Sequence, residues 1–203
     1  MRRLIIISLW VVGCGLLSQG IYMDAKAKLA QWLIASSWEN RSQNSPATKP
    51  WWWADTKVIA RLDAPRLNKT LYVMQNDSGE SLAFGPGHMP ASAKPSSNGH
   101  VVIAGHRDSH FAFLKEIQVG DVLSTDNQHS VKVQYRVTDI EIIDSSKQEI
   151  DLFNHSHLTL VTCYPFDSVV PGGPLRFIVH AEPVEPTQLA VSTATPETQK
   201  GIN

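Results

Sequence analysis

Leu158-Thr159-Leu160-Val161-Thr162-Cys163-Tyr164-Pro165 is the stretch on which the reading of this chain turns. Its β-branched and apolar residues predict a short strand. Pro165 lacks a backbone donor, cannot continue a central strand, and so marks its end. Cys163 therefore falls where a side chain can leave the core and face a groove. The second cysteine, Cys14, lies in an N-terminal apolar run, so the two cannot close a disulfide within one soluble domain. A free cysteine is most simply a small buried hydrophobe. One placed at a strand end, with histidines elsewhere in the chain, is also a candidate nucleophile.

Outward from this stretch the pattern is one of short strands separated by turn signals. Val131, Val133, Tyr135 and Val137 alternate along one face of their segment, which predicts one buried and one wet face. Leu175, Phe177, Val179 and Ala181 repeat the alternation and leave Arg176, Ile178 and His180 on the opposite face. Val58–Leu62 and Thr70–Met74 read as edge or hairpin strands broken by Asp63-Ala64-Pro65. His100–His106 is an apolar strand ending in Gly-His, and Phe111–Ile117 a short helix or turn. Ser81–His88 has room for one helical turn at most, and Met89–Gly99 reads as a loop. Together these predict an all-β domain, a small and mostly antiparallel barrel or sandwich with one or two short helices.

The chain has 203 residues, enough for one domain of about 130–150 residues with appendages. Eighteen basic residues against 19 acidic ones give a formal charge of -1, and no basic stripe accompanies an aromatic platform, so nucleic acid is not an expected partner. Leu4 to Met23 carries no charged residue and is about as long as a bilayer span. A cleaved signal peptide has a shorter apolar core and a small-residue cleavage site. A lipoprotein signal ending at Cys14 would turn polar after the cysteine, where this run stays apolar. An uncleaved signal anchor over residues 1–23 is the favoured reading. Arg2 and Arg3 set the N-terminus in the cytoplasm, with the domain facing the periplasm or exterior of an inner, or cell, membrane.

Residues 24–50 follow as a juxtamembrane helix, Asp24–Trp38, and a polar linker, 39–50. The helix tryptophans Trp32 and Trp38 have two candidate places, the headgroup layer or the domain surface. The barrel domain is expected over 51–182, and a Pro/Thr/Ser-rich disordered tail over 183–203. Trp51-Trp52-Trp53 opens the domain, and three adjacent indoles cannot all face one way. They either close one end of the core or form a sugar- or membrane-contacting patch.

His106 follows a strand and a glycine, Cys163 ends another strand, and Arg176 lies near the start of the last strand on its outward face. Acyl transfer needs a thiolate and a proton donor for the leaving amine. A fixed cation beside them can lower the thiol pKa, stabilise an oxyanion or hold a substrate backbone. Metal is not expected. His106 and His110 are spaced i,i+4, and His155 and His157 alternate, but the glutamate of a metalloprotease helix is missing. Asp139, Glu141, Asp144, Glu149 and Asp151 read as a solvated face and not a calcium cage.

These motifs carry a family resemblance. Ile103-Ala104-Gly105-His106-Arg107, with Phe111, Leu114 and Val119-Gly120-Asp121 downstream, resembles the histidine motif of sortases. Leu158–Cys163 resembles their TLxTC motif, and Leu175-Arg176-Phe177 stands at the position of their arginine. The resemblance runs from about Trp53 to Ala181. Ala25–Ala30, Trp53-Ala54-Asp55-Thr56, Tyr164-Pro165-Phe166 and Gly172–Arg176 look like the proteobacterial, Gram-negative class.

What the resemblance implies is an eight-stranded sortase-type β-barrel in which Cys163, His106 and Arg176 converge at one groove. It implies a cysteine transpeptidase that cleaves a Leu-Pro-x-Thr-Gly-like C-terminal sorting signal after threonine and passes the thioacyl group to an amine. Some sortases use calcium, but these residues offer no compact acidic cluster beside the groove motifs, so no cofactor is expected. The partners are then a substrate protein with a sorting signal, a single dedicated one in the Gram-negative class, and an amine acceptor. A cysteine peptidase that resolves the same thioester with water, and a non-catalytic anchored binding module, are the competing readings.

Overall fold

The computed structural model describes residues 2–40, 49–129, 131–147, 157–168, 170 and 172–184. The predicted strands form where β-branched and apolar residues alternate. They are β1 (Val58–Ala64), β2 (Lys69–Met74), β3 (Gly87–His88), β4 (Val101–Ala104), β5 (Val122–Asn127), β6 (Lys132–Asp144), β7 (Leu158–Cys163) and β8 (Leu175–Pro183). They close into an eight-stranded barrel in the order β1-β2-β3-β4-β7-β8-β6-β5. β2–β3 and β4–β7 pair in parallel and the other neighbours are antiparallel.

The barrel interior is filled from alternate positions of each strand. Ala60 and Leu62 of β1, Val101 and Ile103 of β4, Leu158 and Leu160 of β7, and Val179 and Ala181 of β8 share one core with Phe111 and Leu114. β6 is longer than its alternating stretch suggested. Tyr135 and Val137 are buried as expected, but Val131 is exposed ahead of the strand, and pairing with β8 continues to Asp144. β3 lay outside the strands predicted from sequence. Two residues in a Gly/Pro-rich segment give no periodicity, and the strand exists because the barrel supplies partners on both sides.

α2 (Gly79–Phe84) is slightly longer than one turn, capped by the Ser78 side chain, which accepts from the Ser81 N–H. β8 ends at Pro183, and the Val184 N–H still donates to the Gln134 carbonyl. The rest of the predicted tail, together with His155, Glu149 and Asp151, lies outside the described residues.

At the other end, α1 (Arg2–Glu39) is one unbroken helix of 38 residues. The predicted anchor and juxtamembrane segments are thus parts of one continuous helix. The stretch from Ile6 is long and apolar enough to cross a membrane. The last turns are docked on the barrel: Ile34 and Trp38 are buried against Val58 and Met74, with Trp51, Tyr72 and Phe84 at the edge. Gln31 Nε2 donates to the Phe84 carbonyl at 2.7 Å. Trp38 therefore packs on the domain, whereas Trp32 stays exposed. Trp51 packs edge-on against Phe84, at the helix–barrel seam and not at an end of the barrel core.

The hairpin connection carries an ion pair. Arg66, in the 3₁₀ turn after β1, bonds both carboxylate oxygens of Asp121, and the Gln118 N–H donates to Asp121 Oδ2 at 2.8 Å. Hydrogen bonding from Arg66 holds the Asp121 carboxyl below its usual range. A depressed folded-state pKa contributes stability that is present above the unfolded value of 3.8 and lost as pH falls through the folded value. Asp121→Asn is expected to lower Tm by about 2–6 °C near pH 7, given the half-exposed partner. The gap to wild type should begin to narrow in thermal unfolding once the pH falls below about 3.8.

Candidate active site

β7 lies between β4 and β8, and its register places the predicted site residues. On the antiparallel side Leu158 faces Ala181, Leu160 faces Val179 and Thr162 faces Phe177, all on the core side. The intervening pairs, Thr159 with His180, Val161 with Ile178 and Cys163 with Arg176, lie on the other face. Directly opposed residues in such a ladder have Cα atoms about 4.5–5.5 Å apart and side chains on one face. Cys163, the last residue of β7, thus meets Arg176 across the ladder at the barrel rim.

On the parallel side Ala104 pairs with Val161, and the Gly105 N–H donates to the Val161 carbonyl at 3.0 Å. The Thr162 hydroxyl, 2 % exposed, donates to the Gly105 carbonyl at 2.7 Å. His106 is the next residue. It leaves β4 beside the end of β7, with its side chain exposed. The fold therefore gathers His106, Cys163 and Arg176 onto three adjacent strand ends.

Gly105 is needed for close approach: a Cβ there would stand 2.7 Å from the Phe111 ring, which is fully buried below it. The His106 carbonyl accepts from the Phe111 N–H at 2.9 Å, which closes the turn that carries the imidazole. His110, four residues on, does not point to a metal. It hydrogen-bonds the backbone of Ala83, and burial, opposed by that bond, pushes its ring below the ordinary histidine pKa. Among the described residues no group of three His, Cys, Asp or Glu side chains is arranged to hold a metal ion.

Arg176 Nη1 donates to the carbonyls of Gly173 at 2.6 Å and Leu175 at 2.9 Å. Its remaining guanidinium nitrogens make no hydrogen bond, and it forms no ion pair, among the described residues. The head is thus steered by its own loop while keeping donors for another group. Arg107, beside His106, had no role in the sequence reading. It is 8 % exposed, and its Nη2 donates to the carbonyls of Ser168 at 2.8 Å and Val170 at 2.7 Å. It clamps the segment that follows Cys163 to the one that carries His106. Lys115 and Asp167, 2.8 Å apart, add a solvent-exposed tie between the same segments. Tyr164, Phe166 and Phe177 pack ring to ring at 5.1–6.3 Å and hold the chain just after Cys163 against β8.

Further along the same outer face the sheet turns polar. Thr159 Oγ1 is hydrogen-bonded to His100 Nε2 at 2.7 Å and to His180 Nδ1 at 3.2 Å, and His180 Nε2 lies 3.0 Å from Glu141 Oε1. Sequence alternation put His180 on the outward face of its strand, but only the β7–β8 and β6–β8 registers bring in Thr159 and Glu141.

Residues 62–184 match the sortase domain family. The chain belongs to the sortase family. Sortase D of Bacillus subtilis (strain 168) is 32% identical over 125 residues, covering 61% of this chain and 62% of that protein. The chain thus spans somewhat under two thirds of the length of that relative. A Clostridium perfringens Sortase D5 transpeptidase has a similar fold, with a TM-score of 0.62 at 22% identity over 78% of this chain and 99% of that one. Sortase A of Corynebacterium diphtheriae gives a TM-score of 0.55 at 24% identity, over 80% and 84% of the two chains. The eight-stranded barrel expected from sequence is therefore the sortase barrel.

The Thr162 hydroxyl is the buried donor that sets the end of β4 in this sortase against the end of β7. Thr162→Val keeps the volume and leaves the Gly105 carbonyl without that donor. It is expected to cost about 1–2 kcal/mol in chemical denaturation, with an unchanged m-value.

Proposed function

We propose that this sortase is a membrane-anchored cysteine transpeptidase that works through Cys163, His106 and Arg176. One observation carries the reading: the β4–β7–β8 register sets Cys163 opposite Arg176 and beside the exit of His106. The Clostridium perfringens relative, named a transpeptidase, supports it.

In this mechanism the Cys163 thiolate adds to the threonine carbonyl of a Leu-Pro-x-Thr-Gly-like sorting signal. The free guanidinium nitrogens of Arg176 are donors for the oxyanion or the substrate carbonyls. Collapse breaks the Thr–Gly bond, and protonated His106 gives its proton to the departing glycine amine. An incoming amine then attacks the thioester, loses a proton to His106 and releases the thiolate. The chemistry calls for no cofactor.

The substrate is a protein with a C-terminal sorting signal, and the acceptor is an amine. The anchor, residues 1–23, sets the 51–182 domain on the periplasmic side of an inner membrane, with 24–50 as the connection. The relatives named above come from Gram-positive genera. Assignment to the Gram-negative class, with a single dedicated substrate, rests on Ala25–Ala30, Trp53–Thr56, Tyr164–Phe166 and Gly172–Arg176.

The full-length protein in detergent, mixed with a panel of such peptides, is expected to form an adduct with the mass of the peptide truncated after threonine. Cys163→Ala should form none, and transfer retained in that variant overturns the assignment. Arg176→Lys keeps the charge but loses the planar fork, so kcat/KM is expected to fall about 100-fold or more. Near-wild-type rates would remove Arg176 from the reaction.

A further inference from the structure

We propose that Trp52 and Trp53 lie in the lipid headgroup layer beside the point where α1 leaves the bilayer, a second membrane attachment that fixes how the barrel stands on the surface. The inference rests on reading residues 4–23 of α1 as a bilayer span.

Geometry comes first. α1 does not break at the end of its apolar run: it continues unbroken from Met23 to Glu39, about 24 Å further. Its last turns are part of the domain, since Ile34 and Trp38 are buried against β1 and β2, and Gln31 is bonded to Phe84. The barrel is thus held along the emerging helix and cannot swing on a loose tether. A groove between helix and domain runs down to Met23, where the charge-free run ends, and Lys26; its domain wall includes Trp51 and Trp53. Trp51 belongs to the upper, packed part, against Phe84 at the level of Gln31. Trp53 shares the groove with the helix end that meets the membrane.

Exposure then separates the tryptophans. Trp38 is 2 % exposed, whereas Trp52 is 85 % and Trp53 62 % exposed, with their rings edge to face at 4.9 Å. Two adjacent indoles held out from a folded domain form an apolar patch with polar N–H tips, the chemistry enriched at the headgroup level. Tyr22, exposed at the end of the span, and Lys26, which lines the groove with Trp53, suit the same layer. Trp32 is also exposed, but it lies nine residues past Met23, about 13 Å along the helix. The headgroup layer is only about 5–8 Å thick on each side. Trp32 is therefore outside the proposed attachment.

The test uses the full chain in phosphatidylethanolamine/phosphatidylglycerol vesicles with phospholipid brominated near the headgroup end of the acyl chain or deep within it. Wild type is compared with Trp52→Phe/Trp53→Phe, which keeps the rings but removes their fluorescence. The difference spectrum reports these two residues, while Trp10→Phe reports the span in the same way. The expected result is that the Trp52/Trp53 difference is quenched about twofold or more by the shallow bromines and little by the deep ones. Quenching of Trp10 without quenching of the Trp52/Trp53 difference would overturn the proposal and leave the span intact. Absence of quenching at Trp10 would overturn the span and the proposal with it. Shielding of Trp52 and Trp53 from aqueous acrylamide without bromolipid quenching would also overturn it. Such shielding would mean a second copy if it rises with protein concentration, or a glycan if it requires added peptidoglycan fragments.

Discussion

The parallel pairing of β4 with β7 is the constraint on which the rest of the site depends. Parallel strands cannot be joined by a tight turn, so the chain must travel from Ala104 through β5 and β6 before returning as β7. Once paired, both strands end at the same rim, and each delivers its terminal residue there. The Thr162 hydroxyl bond to the Gly105 carbonyl extends the alignment one residue past the ladder, where His106 begins. On the other side of β7 the antiparallel β8 brings Arg176 across from Cys163. A one-residue slip of either pairing would turn Cys163 or Arg176 toward the core, and the filled interior around Leu160 and Val179 forbids it.

Around this register the loops are held by a small set of polar ties. Arg107 is the most informative, because it is buried beside His106 and uses its Nη2 donors on the β7–β8 connection. Its bonds to Ser168 and Val170 make the stability of the β7–β8 connection depend on the residue beside His106. The link reaches α1 as well. His110 is bonded to the backbone of Ala83, and the next carbonyl, that of Phe84, accepts from Gln31 of α1. α1, α2 and the His106-bearing segment are therefore mechanically connected.

Much of this was legible in the sequence because its signals are local. Pro165 after Leu158–Cys163 announced a strand end, alternation in 175–181 sorted Arg176 and His180 from Phe177 and Val179, and the charge-free run before Asp24 announced a long apolar helix. What was missed depends on partners far along the chain. β3 has only Gly87 and His88 and no pattern of its own. The second half of β6 looked like a solvated acidic stretch because its partner, β8, lies more than 30 residues away in sequence. Arg107 could have been noticed as a charged residue directly after a Gly-His strand end, but nothing local says that it is buried.

The sequence alone therefore determined the kind of protein: short alternating strands, one long apolar helix, and a histidine, a cysteine and an arginine each near a strand end. Periodicity and chain-breaking residues encode these, because they act over a few bonds. Tertiary structure decided which strand ends became neighbours, which polar groups were buried and satisfied, and that α1 docks on the barrel while Trp52 and Trp53 are left uncovered. Those outcomes follow from closing eight strands around one core, where each register is set by partners that sequence proximity does not reveal.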